Sequence, residues 1–268
     1  DRYERAFSSL NMGKRFMMEG KSVSGFYVPT ANLLVTKEVF RAAGGFNVKM
    51  RTGEDVDFCW RLRHLGYTLI YVPFGAVAHK HRNRLGPMLK RRAEYGTSEA
   101  LLYKTHRDKK KGFSVSVFAG LSFLALLLAI ILLNPYPLGA IPLFFIIDLI
   151  IKSGAAGKNK VPHPLRQAAA AALRSYFSFG YYAFFHLIRY YLALFIAFGF
   201  LWYPLWIVGA LGVFWASGTD YAVKQPALFY PVFLFYYLLE HLVYQGGVLL
   251  GCFKYRYFGS YILSFKKA

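Results

Sequence analysis

Apolar residues follow two different rhythms along this chain. Up to about residue 112 they come in short runs between charges; beyond it they fill long stretches, and residues 113–133 hold 21 positions without a charge. About 20 apolar residues cross a bilayer core, so this stretch predicts a membrane span. Asn134-Pro-Tyr-Pro137 predicts a tight turn, and 138–151 a shorter returning span that contains Asp148. Residues 164–190 mix alanines and aromatics with Arg166, Arg174 and Arg189, the pattern of a helix lying in the membrane interface or, as the alternative, of a further tilted span. A third span is expected at 191–215, kinked by Pro204, and a fourth at 228–252, with 217–226 as an outer loop.

The first 112 residues predict shorter elements. Thr36 should cap a helix that ends at Ala43 before Gly44-Gly45, preceded by an extended run from Ser24 to Val35. Residues 67–72 and 76–79 read as short strands around a turn, and Pro87 opens a basic amphipathic helix to about Lys104. The most informative piece lies between them. Gly53 breaks the chain, Glu54, Asp55 and Asp57 fill a first turn, Arg61 to His64 a last one, and Gly66 stops the helix, which suits both ends of the macrodipole. At about 100° per residue, Val56, Phe58, Cys59, Trp60, Leu62 and Leu65 form an apolar arc opposite Asp57, Arg61 and His64. Asp55 falls in the middle of that arc. Glu54 and Asp55 can simply cap the helix; if the apolar face borders a cleft, Asp55 is placed to act as a base.

Charge and composition decide the partner class. Residues 1–112 carry 22 of the 33 Lys and Arg against 10 of the 13 acids, and the remainder still has a net +8. Such a surface suits nucleic acid, anionic lipid or phosphate-bearing substrates, and the apolar second half decides for the membrane. Zinc-finger and RNA-binding signatures are missing, so no nucleic-acid partner is expected. Lysines at 109–111, 152, 158, 160, 254, 266 and 267 should share the cytosolic side, which gives a multi-pass protein of the cell (inner) membrane with its first part in the cytoplasm. Two cysteines, Cys59 and Cys252, offer neither a disulfide framework nor a zinc cluster.

The segments Asn32-Leu-Leu-Val-Thr-Lys-Glu-Val-Phe-Arg-Ala-Ala-Gly-Gly-Phe46, Gly53-Glu54-Asp55 and Tyr71-Val-Pro-Phe-Gly-Ala-Val-Ala-His-Lys-His81 together resemble the acceptor half of the inverting family-2 glycosyltransferases. The resemblance is strong over 25–84. A Tyr-Gly-Thr-Ser run at 95–98 and a closing Tyr-x-x-Gly-Val-x-x-Gly at 244–251 narrow it to the mycofactocin-system glycosyltransferases. A Gln-x-x-Arg-Trp motif, the mark of processive members, does not occur.

The resemblance implies the α/β C-terminal half of a GT-A nucleotide-sugar transferase domain at 1–108, followed by an all-α membrane domain of about four transmembrane helices at 109–268. The donor half, with its Asp-x-Asp motif, is then expected before residue 1. Asp55 becomes the general base and Glu54 orients the loop or acceptor. Gly53, Thr30, Asn32, Arg82 and Arg84 are candidate substrate contacts, although Asn32 more simply closes a turn. His79 and His81 alternate as on one strand face, and the resemblance makes one of them, better His79, a ligand for Mg²⁺ or Mn²⁺. The implied partners are a nucleotide diphosphate sugar, a peptide or lipid-linked acceptor and membrane lipids. A lipid-linked saccharide or cell-envelope glycan enzyme is one alternative; a transport or scaffold protein with a degenerate transferase domain is another. Glu240, Tyr244, Gly247 and Gly251 form one helical stripe, which predicts close packing on a neighbouring helix, with Arg189 as one candidate partner for Glu240.

Overall fold

A computed structural model describes residues 2–8, 10–19, 25–75 and 77–267. Residues 20–24, where the expected extended run begins, and Ala76, the start of the second expected strand, lie outside these. The chain forms two compact units: residues 1–111 with 221–263, and residues 112–220 with 264–268.

In the first unit, α1 (Arg2–Ala6), β1 (Met17–Glu19), α2 (Lys37–Ala42), α3 (Glu54–His64), β2 (Leu69–Tyr71) and α4 (Leu85–Thr105) are joined by α9 (Tyr230–Tyr255). Strands β1 and β2 pair antiparallel, with Met18 opposite Ile70. Each short helix ends as its glycines dictate. Beyond α3, the Gly66 amide donates to Arg63 and the Tyr67 amide to Leu62; beyond α2, Gly44 and Gly45 do the same to Arg41 and Phe40. Both are Schellman endings, with Gly66 at φ +91° and Gly44 at φ +74°. The apolar arc of α3 splits. Phe58, Cys59 and Leu62 pack with Val28, Ala43 and Leu69, and Trp60 packs with Met50 and Leu102 of α4.

The seam between α4 and α9 is built from glycines on both sides. A Cβ at Gly96 would collide with the Tyr244 carbonyl, one at Gly247 with the Ala93 carbonyl, and one at Gly251 with the Thr97 carbonyl. The two backbones therefore touch without side chains between them. The stripe of Glu240, Tyr244, Gly247 and Gly251 does mark a packing face, and the neighbouring helix is α4. Glu240 accepts from the Tyr3 hydroxyl at 2.9 Å and pairs with Arg92 Nε at 3.5 Å.

The second unit contains β3 (Lys111–Val115), α5 (Val117–Ile131), α6 (Ala140–Lys158), α7 (Pro164–Phe198), α8 (Pro204–Lys224) and β4 (Leu263–Lys267), with β3 beside β4. Two of its acids are paired: Asp148 accepts from Ser116 Oγ at 3.1 Å and pairs with Lys152, and the Tyr181 hydroxyl donates to Asp220 at 3.0 Å. Among the described residues, three helices are long and apolar enough to cross a membrane, at 136–158, 164–198 and 230–255, against the four spans expected. Residues 111–115 go into β3, which leaves α5 with 15 residues. At about 1.5 Å per residue that is shorter than a bilayer core. Of the two readings of 164–190, the span is the one that agrees with a helix of this length and hydropathy, while the bounds expected for 191–215 are corrected. One helix runs from Pro164 to Phe198, and Pro204 opens α8 instead of kinking a span, since proline fits a first turn whose amides need no partner. The expected outer loop at 217–226 is largely helical, and Ser217 is fully buried. The expected strands are short: only Leu69–Tyr71 pairs within 67–72, and no strand forms among the described residues 77–81.

Candidate active site

A cleft of about 360 Å³ in the first unit is lined by Thr30, Gly53, Glu54, Asp55, His79, His81 and Arg82, together with Glu4, Thr52, Arg91, Arg92 and Tyr95. Seven of the nine residues singled out from the sequence thus meet in one place. Asn32 and Arg84 do not. Asn32 points its amide at the Gly75 carbonyl, 3.5 Å away, a contact between segments 43 residues apart instead of the local turn expected; Arg84 is an exposed residue at the start of α4.

Gly53 positions the acids. It sits at φ +79°, a left-handed conformation that turns the chain into α3, and a Cβ there would press on Leu102 at 3.0 Å. The Thr52 hydroxyl ties this turn to α4 by donating to the Glu94 carbonyl at 3.2 Å. Asp55 then projects from the first turn into the cleft, its Oδ1 accepting from the Val56 amide at 2.8 Å. Burial raises the Asp55 pKa above the ordinary carboxylate value, and the Glu54 carboxylate adds to the rise. Amides of Val56, Asp55 and Thr30 pull the other way without cancelling it. The same carboxylate, after burial, helps push the Tyr27 hydroxyl up to about 12 and the Cys59 thiol to about 11. A half-buried carboxylate with a raised pKa, open to a cleft, is the form a general base takes.

The opposite wall is basic. The His79 and His81 rings lie 5.3 Å apart, and burial together with His79 lowers the His81 pKa, which favours a neutral imidazole. Arg82 and Arg92 pair with Glu4 at 3.6 and 3.3 Å, and Arg91 with Glu94 at 3.2 Å. Arg82 and Arg91 also border an adjoining hollow with Arg51 and Lys90. His79 and His81 are the imidazoles of this wall that could ligate a divalent cation.

Several site residues escape a reading of single helices. Arg91, Arg92 and Tyr95 line the cleft from α4, whose basic face resembles an interfacial helix when taken alone; the Tyr-Gly-Thr-Ser run was the available signal. Asp57 was placed on a solvated face, yet it is buried, with Oδ2 accepting from Arg61 at 2.9 Å and Oδ1 2.8 Å from His106 Nε2. Arg61 in turn donates to the Ala43 and Gly45 carbonyls at the end of α2, and Arg63 is buried against the Phe26 carbonyl at 3.1 Å.

The chain is 42% identical over 117 residues to a pre-mycofactocin glycosyltransferase from Mycobacterium tuberculosis strain CDC 1551 / Oshkosh, and equally to that of strain ATCC 25618 / H37Rv. The match takes in 43% of this chain and 24% of each relative, so the chain spans about a quarter of their length. No protein-family model matches, and no solved structure does.

Proposed function

We propose that this chain is the acceptor-side part of a membrane-associated inverting glycosyltransferase of family 2, in which Asp55 is the general base. The observation that carries the reading is the placement of Asp55, with its raised pKa, in a cleft shared with His79, His81 and Arg82. The partial likeness to pre-mycofactocin glycosyltransferases supports it.

In this mechanism an Asp55 carboxylate oxygen takes the proton of the acceptor hydroxyl. The acceptor oxygen forms its bond to the anomeric carbon from the face opposite the leaving group. The bond from that carbon to the diphosphate oxygen breaks, and the nucleoside diphosphate departs with the electron pair. Glu54 orients the acceptor at the mouth of α3, and Arg82 holds negative charge on the diphosphate. A Mg²⁺ or Mn²⁺ ion bound at His79 or His81 would offset more of that charge.

The acceptor is a modified peptide, as the resemblance to the mycofactocin-system glycosyltransferases implies. A lipid-linked saccharide is the second reading, favoured by α4: it lines the cleft with Arg91, Arg92 and Tyr95 and packs along α9, a helix long enough to cross a bilayer. The test supplies the full-length protein with nucleotide diphosphate hexoses labelled in the hexose. Each is offered with a hydroxyl-bearing precursor peptide or a polyprenyl-linked saccharide, and the product's anomeric configuration is read by NMR. An inverted product on either acceptor supports transfer and identifies the acceptor class. A retained configuration, or no label moved to either acceptor, overturns the proposal.

A further inference from the structure

A second polar cluster sits at the other end of α3, about 15 Å along the helix from the cleft residues. His64 Nε2 lies 2.8 Å from Asp108 Oδ2, and the His64 and His106 rings are 5.7 Å apart. A ring nitrogen of each histidine and a carboxylate oxygen of Asp108 fall within 4.8 Å of one another. His106 is almost fully buried; its ring stands edge-on to Trp60 at 5.2 Å, and Nε2 is 2.8 Å from Asp57 Oδ1. Asp57 is itself 1% exposed and anchored by Arg61. Lys109 Nζ, 3.5 Å from Asp108 Oδ2, completes the surroundings.

We propose that His64, His106 and Asp108 form a binding site for a borderline divalent transition-metal ion of the Zn²⁺ class. Such an ion takes imidazole nitrogens with a carboxylate oxygen and leaves a fourth position to water, whereas a hard ion such as Mg²⁺ finds only one oxygen donor here. The buried half of the site is already oriented as a metal-binding histidine requires. The Asp57 carboxylate can only accept, so the Nε2 of His106 carries the proton and Nδ1 keeps its lone pair for a metal. Ligand atoms about 2.1 Å from a tetrahedral ion stand about 3.4 Å apart, so His64 and Asp108, 2.8 Å apart, must open slightly and both must adjust towards the His106 nitrogen. The half-exposed His64 and Asp108 side chains supply that movement while His106 stays fixed. The bound ion ties the end of α3 to the turn after α4. It is separate from any cation held at His79 and His81.

The experiment uses the purified full-length protein in detergent, stripped with a chelator and then titrated with Co²⁺ or Zn²⁺. One equivalent of Co²⁺ should develop the visible absorption of a four-coordinate site, and Zn²⁺ but not Mg²⁺ should raise the unfolding temperature through this site. His64→Ala, an exposed position whose fold is checked by circular dichroism, should lose the absorption. Asp57→Asn should weaken Co²⁺ binding about tenfold or more, and the double variant His79→Ala/His81→Ala should keep it. Absence of the Co²⁺ signal in the unmodified protein would mean histidine–carboxylate pairing only and would overturn the site. So would a signal that survives His64→Ala or vanishes in the His79/His81 double variant.

Discussion

Asp55 and Asp57 stand two residues apart on α3, carry the same side chain and share the same positive helix end, yet their surroundings differ in kind. Asp55 faces the cleft with backbone amides as its protein hydrogen-bond donors, and burial raises its pKa. Burial pushes Asp57 upward too, but hydrogen bonds from His106 and Arg61 and their charges outweigh it, so its pKa is lowered. One carboxylate faces the cleft with a raised pKa, as the proposed base requires, and the other is committed to holding α3, α2 and the end of α4 together. Titratable groups pushed apart in this way are how a fold separates chemistry from support.

The most severe test of that division is the removal of the reactive group. Asp55→Asn should lower turnover of the full-length protein about 10²- to 10⁴-fold, the usual share of a general base, with donor binding changed only a few-fold. Near-normal turnover in this variant would remove Asp55 as the base and leave it a capping residue. Asp57→Ala strands a buried imidazole and a guanidinium, at a cost of about 3 kcal/mol. That loss should appear as a lower denaturation midpoint, with turnover per folded molecule within a few-fold of the parent. A large fall in turnover at unchanged stability would erase the contrast.

The pH response should sharpen it. Turnover needs Asp55 ionised, so its acid limb should lie above the ordinary carboxylate pKa of about 3.9. Stability moves differently. The lowered pKa of Asp57 contributes stability that is fully present above the unfolded value and lost as pH falls through the folded one. The raised pKa of Asp55 has the opposite sign: its charged form is strained in the fold, and the strain eases as pH falls through its folded pKa. Activity should therefore disappear on acidification before the Asp57 contribution to folding does, as paired turnover and unfolding measurements would reveal. The smallest effect follows from the same sign. Asp55→Asn should raise the unfolding temperature slightly at neutral pH, and a clear decrease would show that the carboxylate supports the fold.

What could be read from the sequence was local. The bounds of α3, the role of Gly53 and the inward position of Asp55 all follow from a helix of known pitch with charges at its ends. Asp57 was misplaced because a helical wheel sees one helix, and the partner that buries it, His106, lies 49 residues away. The stripe on α9 was legible as a packing face, but the choice of α4 as neighbour depends on Gly96, which looks unremarkable in a basic amphipathic stretch. Residues 164–198 were divided because their arginines suggested an interface and Pro204 a kink. Both are position-dependent signals: arginine stems can cover apolar surface, and proline is neutral at a helix start.

Backbone contact along Gly96, Gly247 and Gly251 leaves no compressible layer between α4 and α9, and the Arg92–Glu240 pair pins one helix to the other at a further point. The cleft wall formed by Arg91, Arg92 and Tyr95 is thus carried on the same stiff beam as a helix of bilayer-crossing length, while the Asp55 wall is carried on α3. Any displacement of α9 is therefore also a displacement of the cleft wall that carries Arg91, Arg92 and Tyr95.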